Sequence, residues 1–157
     1  MYRIFLAMIL GTLLLIGGDA KSLLGEWSTQ RSFQAGDEQH IEREDLRFNP
    51  DTFRLMLTVT IEKGKLLVKD LKIRASGLWK LQGETLVLVI EQISFAGVDQ
   101  TRGINKSSFE TLVRDLRGRY LDDPIRILHL RSLDTGTLTL ETAEREIKEY
   151  KRSGGSQ

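Results

Sequence analysis

The residues Leu24-Gly25-Glu26-Trp27 open the first segment with alternating side-chain character, and that segment runs to Phe33. A similar segment closes the chain with Tyr150-Lys151-Arg152. A strand at the edge of a sheet leaves backbone hydrogen-bonding groups unpaired, and a closed barrel removes such edges. We therefore expect the first and last segments to pair with each other and to close a β-barrel.

The chain begins with the features of a secretory signal peptide. Arg3 precedes an apolar run from Ile4 to Ile16, and Gly18-Asp19-Ala20 supplies small residues at the positions that a signal peptidase recognises. The run is shorter than the roughly 20 residues that a membrane-spanning helix needs. We predict a signal peptide over residues 1–20, and a retained membrane anchor is the alternative.

The remainder is long enough for one domain with a hydrophobic core, which we assign to residues 21–153, followed by a disordered tail at 154–157. The chain has no cysteine, so it has neither disulfides nor a thiol to carry a lipid after the leader. We therefore expect a periplasmic or secreted protein. The 23 basic and 22 acidic side chains are interspersed, which does not favour binding to nucleic acid or to an anionic membrane.

The clearest strand follows Pro50-Asp51. Its apolar residues share one parity and alternate with mostly polar residues, which is the period of two expected of a half-buried strand. They are Phe53, Leu55, Leu57, Val59 and Ile61. We expect these side chains to point into the barrel.

The next segment changes parity along its length. Leu66 and Val68 share one parity, whereas Leu71 and Ile73 share the other. A strand cannot switch faces without an extra residue, so we expect a β-bulge or bend near Lys69-Asp70, as small barrels use to turn a corner.

One amphipathic helix is predicted between the strands. Its apolar stripe has the spacing i, i+3, i+4 and i+7 and consists of Phe109, Leu112, Val113 and Leu116. Ser107 or Ser108 is the expected N-cap, and Gly118 the expected end. The helix would lie across the barrel mouth or on its outside, where it would cover Leu86–Ile90, a strand that is apolar on both faces.

The last segment, Glu144 to Arg152, is open to two interpretations. Its composition, rich in Glu, Lys, Ala and Arg, favours a helix on propensity alone. A closed barrel, however, needs a partner for its first strand, and no other segment remains to supply one. We therefore predict a strand.

Three parts of the sequence resemble the small bacterial lipocalin-like (calycin) proteins: Gly25-x-Trp27, the block from Ser76 to Leu86, and the C-terminal segment from Leu138 to Arg152. The resemblance implies a mainly β fold built on a closed antiparallel β-barrel. Together with the helix predicted above, we expect an antiparallel lipocalin-like β-barrel of about eight to nine strands with one amphipathic helix inserted before the last strands. The resemblance also implies that Trp27 packs against Arg152 at the closed end of the barrel. The inserted segment Ala96–Pro124 departs from a plain barrel, where a hairpin would stand.

Candidate catalytic and metal-binding groups are few. His40 and His129 are the only histidines, and a zinc site would need carboxylates gathered around them. Glu42 and Glu44 lie two residues apart on one strand face and would act as an acid–base pair only if buried together; we expect both to be exposed. Without a thiol or a Gly-x-Ser-x-Gly motif, the sequence predicts a protein that is not an enzyme and holds no metal or cofactor.

Two functions remain open. The first is the binding of a small hydrophobic or amphipathic ligand inside the barrel, lined by Phe53, Leu57 and Trp79, with Phe109 and Tyr120 at the mouth. The second is a protein-interaction module, such as an inhibitor or envelope accessory factor, whose barrel is filled and whose contact surface is the 96–124 insertion. The interior volume distinguishes the two functions, since a cavity of a few hundred Å³ favours the first and a filled core the second.

Overall fold

The structure is a computed structural model that describes residues 19–154. The predicted signal peptide therefore lies outside the described residues except for Asp19 and Ala20, and so does the predicted tail except for Gly154.

The described residues form nine strands and two helices. The strands are β1 (Gly25–Ala35), β2 (Glu38–Phe48), β3 (Thr52–Lys63), β4 (Leu66–Gln82), β5 (Thr85–Gly97), β6 (Gln100–Arg102), β7 (Ile125–Leu133), β8 (Thr137–Glu141) and β9 (Ile147–Ser153). The helices are α1 (Ala20–Leu23) and α2 (Lys106–Leu121).

Eight of the strands close an antiparallel barrel. Strands β1 to β5 pair in sequence, β5 pairs with β7, and β7 to β9 again pair in sequence. Strand β9 then pairs with β1, and the short β6 lies outside the ring along the start of β4. The predicted fold class is confirmed, including the helix before the last strands. The prediction of a strand near the C-terminus is also confirmed, since Ile147–Ser153 pairs on both sides.

The first end of the barrel is closed around Trp27. This residue lies directly opposite Arg152 in the β1–β9 ladder, and the Arg152 guanidinium carbon is 4.1 Å from the centroid of the indole ring. The Trp27 indole N–H donates to the carbonyl oxygen of Leu23 in α1, at 2.8 Å. The contact implied by the resemblance is therefore present, and α1 closes over it.

Arg152 also ties three chain segments together. Its guanidinium donates to the carbonyl oxygens of Ser22, Leu24 and Thr135, each at 2.8 Å. Gly25 makes this approach possible, because its φ of +115° favours glycine and a Cβ there would lie 2.8 Å from Nη1 of Arg152.

Large apolar side chains fill the barrel. All five inward residues predicted on β3 are buried, and they pack with buried residues from the other strands. The largest fully buried side chains among these are Trp27, Leu46, Phe48, Leu71, Ile73, Leu86, Leu138 and Leu140.

The predicted bulge is confirmed. Val59 lies opposite Leu71 whereas Ile61 lies opposite Val68, so β4 carries one more residue than β3 at this point. Asp70 adopts a φ of 51°, and its backbone N–H donates to Thr60 Oγ1 at 3.1 Å. The extra residue lets both halves of β4 direct their apolar residues inward.

Helix α2 begins and ends elsewhere than predicted. The N-cap is Asn105, whose side-chain oxygen accepts from the backbone N–H of Ser108 at 2.8 Å, so neither Ser107 nor Ser108 caps the helix. The helix also continues through Gly118 to Leu121. Tyr120 lies one turn beyond Leu116 and is also buried, and the burial of this ring offsets the roughly 1 kcal/mol cost of an interior glycine.

Helix α2 lies across the second end of the barrel. The ring of Phe109 packs edge-on against Phe95, with centroids 6.0 Å apart, and Phe95 lies opposite the inward residue Ile73. Of the two positions predicted for the helix, it therefore occupies the mouth and does not cover the outer face of Leu86–Ile90. On that face Ile127, which lies opposite Val87, is 60% exposed.

The first closure generates a stability prediction. Replacing Arg152 with Ala removes three charge-assisted hydrogen bonds and the stacking on Trp27, so the free energy of unfolding should fall by about 2–4 kcal/mol in urea denaturation. The neighbouring Lys151→Ala, whose side chain is mostly exposed, should change it by less than about 0.5 kcal/mol. Equal effects of the two substitutions would contradict the closure described for Arg152.

Candidate functional site

The five predicted ligand-binding residues do not form one pocket. Phe53 and Tyr120 line an interior cavity of about 50 Å³, but Leu57, Trp79 and Phe109 do not. Leu57 is buried in the wall, and Phe109 packs on Phe95. Trp79 is held near the β2–β3 turn, where its indole N–H donates to the carbonyl oxygen of Asn49 at 2.7 Å.

The cavity is divided into an apolar and a charged part. The apolar walls come from Leu46, Phe53, Leu55, Ala75, Leu88, Ile90, Leu128 and Leu140. The polar walls come from Glu44, Tyr120, Arg126, Thr142, Lys148 and Tyr150. We call this polar part, together with Glu42 and its partners, the charged chamber.

Glu44 is held in the charged chamber by two groups of β9. Its carboxylate accepts from Lys148 Nζ at 2.6 Å and from the Tyr150 hydroxyl at 2.7 Å. Burial, followed by the charge of Glu44, raises the pKa of Tyr150 well above its ordinary value. Tyr150 is therefore a neutral hydrogen-bond donor over the whole range in which proteins are usually studied.

Glu42 links the barrel wall to α2. Its side chain is 3% exposed and accepts from Arg31 of β1 at 2.6 Å and from Arg119 of α2 at 3.0 Å. Burial disfavours ionisation, but the hydrogen bonds and charges of the two arginines outweigh it and hold the pKa of Glu42 below its ordinary value. This ion-pair group fixes the C-terminal half of α2 across the barrel mouth.

The prediction that Glu42 and Glu44 are exposed is wrong. Both share the parity of Leu46 and Phe48 on β2, whose side chains point inward. That parity is present in the sequence and is the signal that the two carboxylates face the interior. The cations that make their burial tolerable leave no such signal, although an unpaired buried charge is very costly.

The barrel wall is interrupted next to α2. Strand β7 pairs with β5 only over Thr85–Val89, and one further bond joins the Ile90 N–H to the carbonyl oxygen of Pro124 at 2.7 Å. From Glu91 to Gly97, β5 pairs with β4 on one side, and no strand of residues 19–154 pairs with its other side. We call this stretch the open edge.

The open edge carries one charge, that of Glu91 at an irregularity of the β4–β5 ladder, and α2 packs beside it through Phe109. Residues 92–97 carry no charge and no proline, although charges and prolines are common means of blocking unwanted strand pairing. Phe95, within the open edge, is 42% exposed. The inserted segment 96–124 causes the interruption, because the chain leaves the wall through β6 and α2 before it returns as β7.

The two histidines lie apart and each is close to one glutamate. His40 is 3.1 Å from Glu38 and stacks on Phe33, and His129 is 3.5 Å from Glu84. Within residues 19–154 no group of three or more His, Asp or Glu side chains is arranged to hold a metal ion.

No known family model matches the chain, and a search of curated proteins finds no similar sequence. Neither helix of the described part is both long and apolar enough to span a bilayer.

The Glu42 ion-pair group generates a pH prediction. Because the folded-state pKa is lowered, the stability that Glu42 contributes is complete above its unfolded-state pKa of about 4.3 and is lost as the pH falls through the lower folded-state value. Glu42→Gln should lower the free energy of unfolding by about 1–3 kcal/mol at pH 7, and the difference from wild type should shrink below about pH 4. A difference that stays constant as the pH falls from neutral to about 3 would contradict this role of Glu42.

Proposed function

We propose that this protein is an exported, non-enzymatic interaction module built on a solid lipocalin-like barrel, and that it binds an extended segment of another polypeptide at the open edge. The observation that carries the proposal is the size of the interior. An interior cavity of about 50 Å³ compares with roughly 300–1,000 Å³ for typical small-molecule sites. Of the two functions predicted from the sequence, the filled barrel favours the second.

The open edge gives such a partner a place to bind. No strand of residues 19–154 pairs with the second side of residues 91–97, and a partner strand would hydrogen-bond there beside α2, as in β-augmentation. The lack of charge over residues 92–97 removes the repulsion that would discourage this pairing.

A separate apolar surface lies on the outside of the wall, where β4, β5 and β7 pair. Leu78, Val89 and Ile125 form one row across β4, β5 and β7, and Val87 and Ile127 lie in the next. Leu78, Ile125 and Ile127 are 44%, 54% and 60% exposed. Contiguous exposed apolar residues of this kind are typical of protein-binding surfaces, so we expect apolar side chains in the partner strand.

Export and lipocalin-type identity are part of the proposal. The apolar run after Arg3 and the small residues before Lys21 support secretion. The packing of Arg152 on Trp27 supports the relationship to lipocalin-like barrels.

Site-specific photo-crosslinking tests the open edge. A photoreactive phenylalanine analogue at Ser94 should form a covalent adduct with one partner in the producing cell, and the same analogue at the exposed Glu149 on β9 should form none. Mass spectrometry should map the attachment to an extended apolar segment of the partner. Equal adducts at both positions, or none at Ser94, would contradict the proposal.

A second candidate function is the binding of a small amphipathic molecule in the charged chamber. The division of the cavity into apolar and charged walls favours it, and such a ligand would enter only if α2 moved away from Glu42. Arg119→Gln should then increase the fluorescence of an added apolar dye, whereas Arg114→Gln, at an exposed position of the same helix, should leave it unchanged. Indistinguishable dye binding by the two variants would eliminate this candidate.

A further inference from the structure

A large concave surface lies outside the barrel. It is a groove of about 680 Å³ over the outer faces of β1 to β5. Four arginines line it: Arg43, Arg47, Arg54 and Arg74. We call it the arginine groove, and it borders the open edge at Gln92.

The register of the strands brings like charges together in the arginine groove. Arg47 lies directly opposite Arg54 in the β2–β3 ladder. Arg74 lies opposite Met56, two residues from Arg54 along β3, and so is a diagonal neighbour of Arg54 at about 7–8 Å. Like charges directly opposite each other destabilise a sheet, and an anion bound between Arg54 and Arg74 would relieve this repulsion.

The carboxylates of the groove account for only two of the arginines. Arg43 pairs with Asp45 at 2.8 Å, and Arg47 pairs with Glu26 at 3.1 Å. Within residues 19–154, Arg54 and Arg74 have no hydrogen-bond or ion-pair partner. Their guanidinium groups are therefore available to a ligand.

Uncharged donors adjoin the unpaired arginines. Ser76 lies opposite Arg54, and Gln92 lies opposite Ser76 in the same row. Trp27 is the one aromatic residue that borders the groove, and its side chain is fully buried. The groove thus offers charge and hydrogen bonds without an aromatic surface on which a nucleobase could stack.

We propose that the arginine groove binds the phosphate or sulfate monoester of a soluble molecule at Arg54 and Arg74, with Arg47 and Ser76 as additional donors. A phosphate or sulfate monoester has three terminal oxygens in a tetrahedral arrangement and can accept from several guanidinium forks at once, whereas a carboxylate has two oxygens in one plane. The number and spacing of the arginines therefore fit a phosphate or sulfate better than an acidic side chain.

Calorimetric titration at constant ionic strength tests the proposal. Inorganic phosphate, sulfate and glycerol 3-phosphate should each bind at least about tenfold more tightly than acetate. The double variant Arg54→Gln/Arg74→Gln should lose that preference. A matched control, Lys106→Gln/Arg114→Gln, removes the same charge from exposed positions of α2 and should keep it.

Thermal denaturation separates loss of binding from loss of folding. The double variant should unfold at or above the wild-type temperature without phosphate, because it removes a repulsion, and phosphate should stabilise only the wild type and the control. Equal binding of phosphate and acetate, or an equal loss of binding in both double variants, would overturn the proposal. Either result would mean that the anion only screens the net charge of the protein. Binding to vesicles that contain phosphatidic acid, without binding to the soluble anions, would overturn it in favour of a membrane surface.

Discussion

The pairing of β1 with β9 is the constraint on which the rest of the structure depends. It joins the two ends of the described chain, and the stacking of Arg152 on Trp27 closes that seam from within. Without it, β1 and β9 would each have an unpaired edge and the filled interior would open to water. The three carbonyls that accept from Arg152 add α1 and the β7–β8 turn to the same closure, so one side chain stabilises the whole end of the barrel.

Closure at both ends moves the functional question to the outside of the barrel. At the second end, α2 covers the mouth and the Glu42 ion-pair group fixes it there. The insertion that supplies α2 also separates β5 from β7, so the element that seals the interior creates the open edge. The same chain segment thus accounts for both the small cavity and the exposed pairing surface.

Local side-chain patterns predict the wall of the barrel well. Parity along β3 and the parity change near Asp70 predict the strand and its bulge, because both features depend on neighbours in the sequence. The same parity rule predicts that the Glu42 side chain on β2 points inward, whereas the charge of this residue predicts that it is exposed. Its burial depends on Arg119, which is 77 positions away along the chain, and the position of α2 likewise depends on where β5 stops pairing with β7. Distant contacts of this kind leave no local pattern.

Amide hydrogen exchange across the seam tests the central claim of closure most directly. Ser28 and Lys151 face each other in the β1–β9 ladder, beside the pair formed by Trp27 and Arg152. If the barrel is closed in solution, their amides should exchange only through global unfolding, with the same free energy as the buried centre of β3. If the amides of Ser28 and Lys151 instead exchange through local opening, with a free energy several kcal/mol lower than that of the β3 amides, the result would contradict closure.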